Sequence, residues 1–188
     1  MIVIFFIFFI LCYWLYIGEN FCLDYCNSTL VVIYCKMFIL ILTFFSLIVC
    51  LGYFRDVKIV VFEFPILILL ATLGMFIVVS ANDFFILFLG LEIQSLIFYI
   101  LSGLKRYSNL SIEASLKYFI FGSFASCIML LGISFFYGFF GTLDFNEIFK
   151  IVFIDLTGLQ INNVYLLFGI FLILVSLFFK MAIFPFHF

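Results

Sequence analysis

Three charged residues in this 188-residue sequence lie inside long apolar stretches, where ionised side chains are rarely found. Glu92 stands in FFILFLGLEIQSLIFYIL, Lys117 in SIEASLKYFIFGSFASCIML and Lys180 in LLFGIFLILVSLFFKMAIFPFHF. An ionised group at mid-bilayer costs roughly 2.5 to 3.5 kcal/mol on insertion scales, so its presence indicates a functional site by default. One acid and two bases that can change protonation with burial and pairing have the composition of a proton path.

Glu92 lies near the middle of its apolar stretch, so exposure of its carboxylate to lipid is not expected. We predict that it carries charge or protons. A second interpretation stays open, in which a protonated Glu92 only hydrogen-bonds to a neighbouring helix, with help from Gln94 or Ser95 nearby.

The two lysines differ in their depth. Lys117 lies about five residues into its stretch, and Glu113, four residues before it, can form an i,i+4 ion pair. A pair at the membrane interface and a functional lysine are both compatible with this position.

Lys180 follows about 17 uncharged residues and precedes Pro185, which cannot donate a hydrogen bond to the carbonyl of Met181. Broken helices at membrane depth surround ion sites in transporters, and one interpretation of Lys180 and Pro185 is such a site. The alternative is a kink at the end of the helix, with a lysine side chain that reaches the membrane interface.

The remaining polar residues do not form a ligand set. The sequence has six cysteines without a CxxC pair and one histidine, His187, and it contains no nucleotide-binding motif. We therefore expect neither a metal nor a bound cofactor. Cys22 and Cys26 share one loop and could pair in an oxidising compartment. Lys36 and Glu63 are expected at the boundaries of spans.

The composition excludes most soluble proteins. Hydrophobic residues make up 69% of the sequence, charged residues 10%, and the mean hydropathy is +1.49. Because no globular core could bury this much apolar surface, the sequence predicts an all-α, polytopic membrane protein that contacts lipid. Soluble enzymes and nucleic-acid binders are excluded, and the net charge of -2 does not indicate a polyanion as partner.

The membrane topology follows from span lengths and loop charges. Residues 1–188 are predicted to form a single transmembrane domain of about six spans: 1–17, 29–54, 59–81, 83–102, 112–139 and 163–186. One set of alternate loops holds Arg55, Lys58, Lys105 and Arg106, whereas the other holds only Lys150. Since positive charge resists translocation, we predict that the N-terminus and the first set lie inside, with the connection from 141 to 163 outside.

Three blocks of sequence carry a resemblance to a known family: GLEIQSLIFYILSGL (90–104), SIEASLKYFIFGSFASCIMLLGISFFYGFFGT (111–142) and LFFKMAIFPFHF (177–188). In this order and spacing they resemble the antiporter-like membrane subunits of respiratory complex I, above all the mitochondrial NADH dehydrogenase subunit 2 family. The resemblance implies an antiporter-like helix bundle with a discontinuous last helix. It also implies a multi-pass location in the mitochondrial inner membrane and other membrane-arm subunits of complex I as partners.

The resemblance assigns roles to the three residues chosen on energetic cost. Glu92 corresponds to the family's membrane glutamate, which controls how firmly the lysines hold their protons. Lys117 corresponds to the lysine of the EA-x-x-KY block. Lys180 corresponds to the lysine before the PFH motif, which accepts a proton and passes it on through buried water and polar side chains. The implied activity is that of a proton-translocating NADH:ubiquinone reductase whose redox centres lie in other subunits.

The sequence departs from the family pattern after Phe188, because the family continues with further spans and another membrane lysine. We therefore expect either that the sequence is truncated or, in preference, that a second polypeptide supplies the C-terminal part of the subunit. Two other functions stay open at this point: a subunit of a multi-component cation/proton antiporter, and a structural membrane subunit that conducts no protons.

Overall fold

The computed structural model describes residues 30–57, 63–105, 107–155 and 163–183. The first predicted span, residues 1–17, lies outside the described residues. So do the cysteine pair Cys22 and Cys26, and Pro185 and His187 near the end of the chain.

Six helices make up the described part: α1 (Leu30–Val57), α2 (Glu63–Ser80), α3 (Phe84–Ser102), α4 (Asn109–Phe140), α5 (Phe145–Asp155) and α6 (Asn163–Lys180). Candidate membrane spans occupy four of them, at Leu30–Cys50, Glu63–Ser80, Phe84–Ser102 and Asn109–Phe140, and a shorter apolar helix covers Val164–Lys180. The predicted all-α, multi-span architecture is confirmed. Helices satisfy their own backbone hydrogen bonds, which apolar surroundings require.

Buried hydroxyl groups in these helices bond to carbonyl oxygens of the preceding turn. Ser80 donates to the carbonyl of Phe76 at 2.7 Å, and Ser176, whose relative exposure is 0%, donates to that of Ile173 at 2.7 Å. This local pairing satisfies a polar group without a partner from another helix. Small polar residues can therefore line the interior of the bundle.

Helices α2 and α3 make a close glycine contact. A Cβ on Gly90 would lie 2.7 Å from Cγ2 of Val78 and 3.1 Å from the carbonyl oxygen of Gly74. A Cβ on Gly74 would lie 3.0 Å from the backbone nitrogen of Gln94. The two antiparallel backbones thus approach at a distance that only glycine permits, as is typical of membrane helix pairs.

Helix α4 packs against two other helices, α3 and α6. The contact of α4 with α6 is antiparallel: Phe135 packs against Phe168, and Phe121, further back along α4, packs against Phe179. The apolar core at this contact consists of Phe88, Met129, Ile133, Phe136, Phe140 and Ile173. The small-residue run at 122–127, predicted to favour close packing, contributes three buried residues to α4.

Two connections meet at one end of the bundle. Asp83 and Asp144 form an isolated antiparallel bridge, and the amide of Phe84 donates to the carbonyl of Leu143 at 3.2 Å. The amide of Phe145 donates to the carbonyl of Asn82 at 3.1 Å. The connection after α2 and the connection after α4 therefore lie on the same side, which the predicted alternation of spans requires.

Helix α5 was not foreseen, since the sequence analysis placed a loop from 141 to 163. The Asp144 side chain accepts a hydrogen bond from the amide of Asn146 at 2.9 Å, as an N-terminal cap does. Ile148 and Ile151 pack against the core, whereas Glu147 is exposed. At 11 residues the helix spans about 16 Å. It is too short to cross a membrane, so a prediction from span length does not include it.

Helix α6 ends at Lys180, six residues before the predicted end of the last span. Beyond it, the amide of Ile183 donates to the carbonyl of Phe178 at 3.1 Å, and that of Ala182 to Phe179 at 3.1 Å. With Ala182 at φ 50°, this is a Schellman motif, in which a left-handed residue closes the helix.

Candidate functional site

The structure joins Glu92 and Lys180, although 88 residues separate them in the sequence. The Lys180 ammonium donates a hydrogen bond to the Glu92 carboxylate at 3.0 Å, which forms a salt bridge between α3 and α6. The side chains are 24% and 13% exposed, for Glu92 and Lys180 respectively. A buried charge needs a partner of opposite sign, and here each supplies the other.

Lys180 reaches this position because α6 is short. Helix α6 has 18 residues and a length of about 27 Å, whereas α4 has 32 residues and a length of about 48 Å. Since α6 runs antiparallel to α4 and ends beside Phe121, its last residue lies part-way along the bundle. The terminal carbonyl groups of a helix carry partial negative charge, which favours an ammonium in the last turn.

Glu92 is the ninth residue of the 19-residue helix α3, and it follows the glycine contact at Gly90 by two residues. The hydroxyl of Ser95 donates to the backbone carbonyl of Glu92 at 3.0 Å. The packing of α3 against both α2 and α4 fixes the backbone that carries the carboxylate.

Lys117 has a different environment from the other two predicted residues. Its ammonium donates to the carboxylate of Glu113 in the same helix, as the i,i+4 spacing predicts. Both side chains are exposed in this chain, at 65% for Lys117 and 59% for Glu113. Among the described residues, the site therefore contains Glu92 and Lys180 but not Lys117. Glu63 is the first residue of α2, as expected for a boundary residue.

Three buried polar residues lie near the salt bridge, and the prediction from the sequence gives them no role or only a minor one. Ser176 lies one turn before Lys180 in α6 and is completely buried. Ser95 and Tyr99, each 8% exposed, follow Glu92 at three and seven residues in α3. The α3 spacing puts Glu92, Ser95 and Tyr99 on one helical face, and this is the signal in the sequence that identifies Ser95 and Tyr99.

A second group of charges lies at the end where the two connections meet. Burial raises the pKa of Asp83, and the nearby carboxylates of Asp144 and Glu147 raise it further. Within the described ranges, no group of three His, Cys, Asp or Glu side chains could hold a metal ion.

The geometry of the salt bridge permits reversible proton exchange. Contact with an ionised carboxylate favours the protonated form of a lysine, and separation of the pair removes that preference. Opening and closing of such a contact is a chemical means of controlling proton release. Neither residue needs a cofactor for this step.

A family of known membrane proteins matches the second half of the chain. The family model described as NADH:quinone oxidoreductase/Mrp antiporter, transmembrane, matches residues 81–188. The matched region contains Glu92, Lys117 and Lys180.

Individual relatives match a longer part of the chain. NADH-ubiquinone oxidoreductase chain 2 of Marchantia polymorpha is 41% identical over 157 residues, covering 82% of this chain and 32% of that protein. NADH-quinone oxidoreductase subunit N of Bartonella bacilliformis is 44% identical over 154 residues, covering 82% of this chain and 31% of that protein. The chain thus corresponds to about a third of the length of these relatives.

Solved structures show the same arrangement of helices. A chain of respiratory complex I from Thermus thermophilus, with bound aureothin, matches with a TM-score of 0.70 and 27% identity, over 96% of this chain and 38% of that chain. A chain of the membrane-bound sulfane sulfur reductase, an archaeal respiratory membrane complex, matches with a TM-score of 0.61 and 25% identity, over 82% of this chain and 29% of that chain.

Proposed function

This chain belongs to the NADH:quinone oxidoreductase/Mrp antiporter transmembrane family, and we propose that it is a proton-translocating subunit in the membrane arm of an NADH:ubiquinone oxidoreductase, respiratory complex I. Electron transfer in other subunits drives the translocation, so this chain takes part in the enzyme as a translocase without a redox centre of its own. The observation that carries the proposal is the salt bridge between Glu92 and Lys180 inside the bundle.

In the proposed mechanism, Glu92 and Lys180 form a switch. While the ionised carboxylate contacts the lysine, the opposite charge favours the ammonium form. When the pair opens, Lys180 loses this stabilisation and passes its proton to a buried water or polar side chain. The pair is reset when a proton returns to Lys180 and the contact closes.

Lys117 is proposed as a further proton carrier. Support comes from its place in the block EASLKYF, which resembles the family's EA-x-x-KY block, and from its position outside the salt bridge. Its exposed side chain leaves room for a contact with another part of the family fold. If Lys117 left its ion pair with Glu113 and made that contact instead, it would join the proton path.

The proposed surroundings follow from the chain's relation to its relatives. We place the chain as a single transmembrane domain, the N-terminal part of the antiporter-like fold, beside other membrane-arm subunits in the mitochondrial inner membrane. The similarity to chain 2 of Marchantia polymorpha supports this location. The names of these relatives favour an oxidoreductase subunit over a cation/proton antiporter.

The experiment that tests the proposal replaces Lys180 by methionine in the assembled complex. We expect K180M to lower the number of protons translocated per NADH oxidised, because the site loses the group that carries the proton. The measurement combines proton uptake in sealed vesicles with NADH oxidation, both normalised to the amount of assembled complex. Lys150→Met is the matched control, since Lys150 is an exposed lysine of α5, and this variant should pump like the wild type.

Loss of a lysine from a buried pair can also destabilise the protein, because the remaining carboxylate is left without a partner. Glu92→Gln/Lys180→Met removes both charges and tests for this effect. If the double variant assembles normally and still does not pump, the defect lies in proton transfer. Unchanged pumping in an assembled K180M complex would contradict the proposal.

A further inference from the structure

The polar residues around the salt bridge are distributed unevenly along α3. From Phe84 to Leu91, on one side of Glu92, the sequence FFILFLGL contains no polar side chain. Phe88 of this segment belongs to the apolar core between α3, α4 and α6. From Glu92 to Ser102, on the other side, hydroxyl groups occur at Ser95, Tyr99 and Ser102. Within α3 itself, hydroxyl groups therefore lead to Glu92 from the Ser102 side and not from the Phe84 side.

Tyr99 is the central member of this series. Its side chain is 8% exposed, and it forms a side-chain hydrogen bond with Ser95. The Ser95 hydroxyl also donates to the backbone carbonyl of Glu92 at 3.0 Å, so Ser95 lies between Tyr99 and the helix turn that carries Glu92. Side chains of a helix point back towards its N-terminus, which brings the Tyr99 hydroxyl one turn closer to Glu92 than its own backbone. The Glu92 carboxylate lies close enough to interact electrostatically with Tyr99.

The neighbouring helix α4 provides a space for this hydroxyl group. A Cβ on Gly122 would collide with the hydroxyl oxygen of Tyr99, so the phenol occupies the place of a side chain at that position. The rings of Tyr118 and Phe119 pack edge-on against the Tyr99 ring, with centroids 4.7 and 5.7 Å away. Ring and hydroxyl are therefore fixed by different contacts, the ring by aromatic packing and the hydroxyl by Gly122 and Ser95.

We propose that Tyr99, with its hydroxyl held between Ser95 and Gly122, is a proton-relay residue that connects the Glu92–Lys180 pair to the Ser102 end of the bundle; this deepens the proposed function and rests on it. A hydroxyl relays a proton without net ionisation, because its oxygen accepts one hydrogen while its own hydrogen moves on to the next acceptor. Tyr99 would receive the proton from the Ser102 side and release its own towards Ser95 and Glu92. Beyond Tyr99, the Ser102 hydroxyl donates to the Tyr99 carbonyl at 2.8 Å, and the Ser111 hydroxyl, which is exposed, donates to the Ser102 carbonyl at 2.9 Å. Both bonds end on backbone carbonyl oxygens, which pass no proton onward, so water would have to join the Ser111 and Ser102 hydroxyls to the Tyr99 hydroxyl.

The test measures proton translocation in assembled complexes whose variants either remove one hydroxyl oxygen or add one methyl group. Tyr99→Phe removes the hydroxyl but keeps the ring against Tyr118 and Phe119. We expect proton translocation per assembled complex to fall by about threefold or more, since general acid–base groups contribute at least this much when they act. Gly122→Ala leaves the phenol intact but displaces its hydroxyl, and it should cause the same defect. Tyr118→Phe is the matched control and should stay within about twofold of the wild type, because Tyr118 is 44% exposed and lies on the outer side of the Tyr99 ring.

A second readout separates relay from support of the fold. The translocation rate is measured in H2O and in D2O for each variant. If Tyr99 relays protons, its loss slows proton transfer relative to the other steps, so Y99F should show a larger H2O/D2O rate ratio than the wild type. A purely structural defect would lower both rates in proportion and leave the ratio unchanged.

The variant Glu92→Gln serves as reference and separates the two levels of the proposal. Normal pumping in Y99F and G122A, with a defective E92Q, would overturn the role of Tyr99 and leave the proposed function intact. Normal pumping in E92Q would overturn the proposed function itself. If Y99F does not assemble, Ser95→Ala tests the same pair of hydroxyls, and a normal rate and isotope ratio in S95A would count against the relay.

Discussion

At the scale of single residues, Asp83 links charge to stability at one end of the bundle. Burial and two neighbouring carboxylates raise its pKa from the ordinary value of 3.8. The folded protein therefore prefers the protonated form of Asp83, and ionisation weakens the fold. The contribution is fully favourable below about pH 3.8, and it is lost as the pH rises through the raised pKa.

We predict that Asp83→Asn increases stability at neutral pH by less than about 1 kcal/mol, since solvent screens a carboxyl group at this position. The gain should disappear as the pH falls below the raised pKa, because wild-type Asp83 is then neutral as well. Thermal unfolding of the detergent-solubilised assembly, followed from about pH 4 to pH 7, measures both effects.

Glu113→Gln is the control for Asp83→Asn, because it removes one negative charge far from Asp144 and Glu147 and should give no comparable gain. A destabilised D83N variant at neutral pH would show that the Asp83 carboxylate makes favourable contacts that outweigh the repulsion.

The sequence identified Glu92 and Lys180 from the cost of burying a charge, but it could not show that they pair. Helical spacing predicts contacts only three or four residues away, such as that between Glu113 and Lys117, and this pair is present. A contact across 88 residues depends on how α6 packs on α4 and where α6 ends. Local patterns do not contain that information.

At the scale of helices, the end of α6 determines where Lys180 lies. The sequence predicted a span up to residue 186 because apolarity continues beyond Lys180, and apolarity does not reveal a Schellman motif. The left-handed residue of that motif is usually glycine, but here it is Ala182, with φ 50°. A left-handed conformation costs an L-residue with a Cβ roughly 1 to 2 kcal/mol.

We predict that Ala182→Gly stabilises the protein by about 1 kcal/mol, because glycine adopts the left-handed conformation without this cost. Thermal unfolding of the solubilised assembly provides the measurement. Ala114→Gly is the matched control: position 114 lies in the interior of α4 and is exposed, so the change should cost about 1 kcal/mol. Destabilisation by A182G would mean that Ala182 makes contacts worth more than the strain it bears.

At the scale of the whole molecule, the described helices agree with a topology in which the ends alternate. The bridge between Asp83 and Asp144 establishes that two connections share one end. The charge bias of the loops then predicts which end is which, with the connection after α3 inside. Lys105 lies in that connection, and Lys150 lies at the opposite end.

We predict that single cysteines at two exposed positions react from opposite sides of the membrane. In a chain whose six cysteines are replaced, Asn146→Cys should react with an impermeant thiol reagent from the outside of sealed vesicles or organelles. Tyr107→Cys, at a fully exposed position, should react only after the membrane is permeabilised. Labelling of both positions from one side would contradict the shared packing of the bundle, and the reverse pattern would invert the orientation.

The close approach of α2 and α3 also determines which partner of the salt bridge can move. Glu92 lies two residues beyond Gly90, where the backbones of α2 and α3 approach so closely that a Cβ would not fit beside Val78. Lys180 lies instead in the last turn of its helix, and the next three described residues bond back to that helix through the amides of Met181, Ala182 and Ile183. The pair is therefore asymmetric in position: the acid lies in the middle of a closely packed helix and the base lies at a helix end. When the contact opens, we expect the lysine to swing away while the carboxylate stays in place.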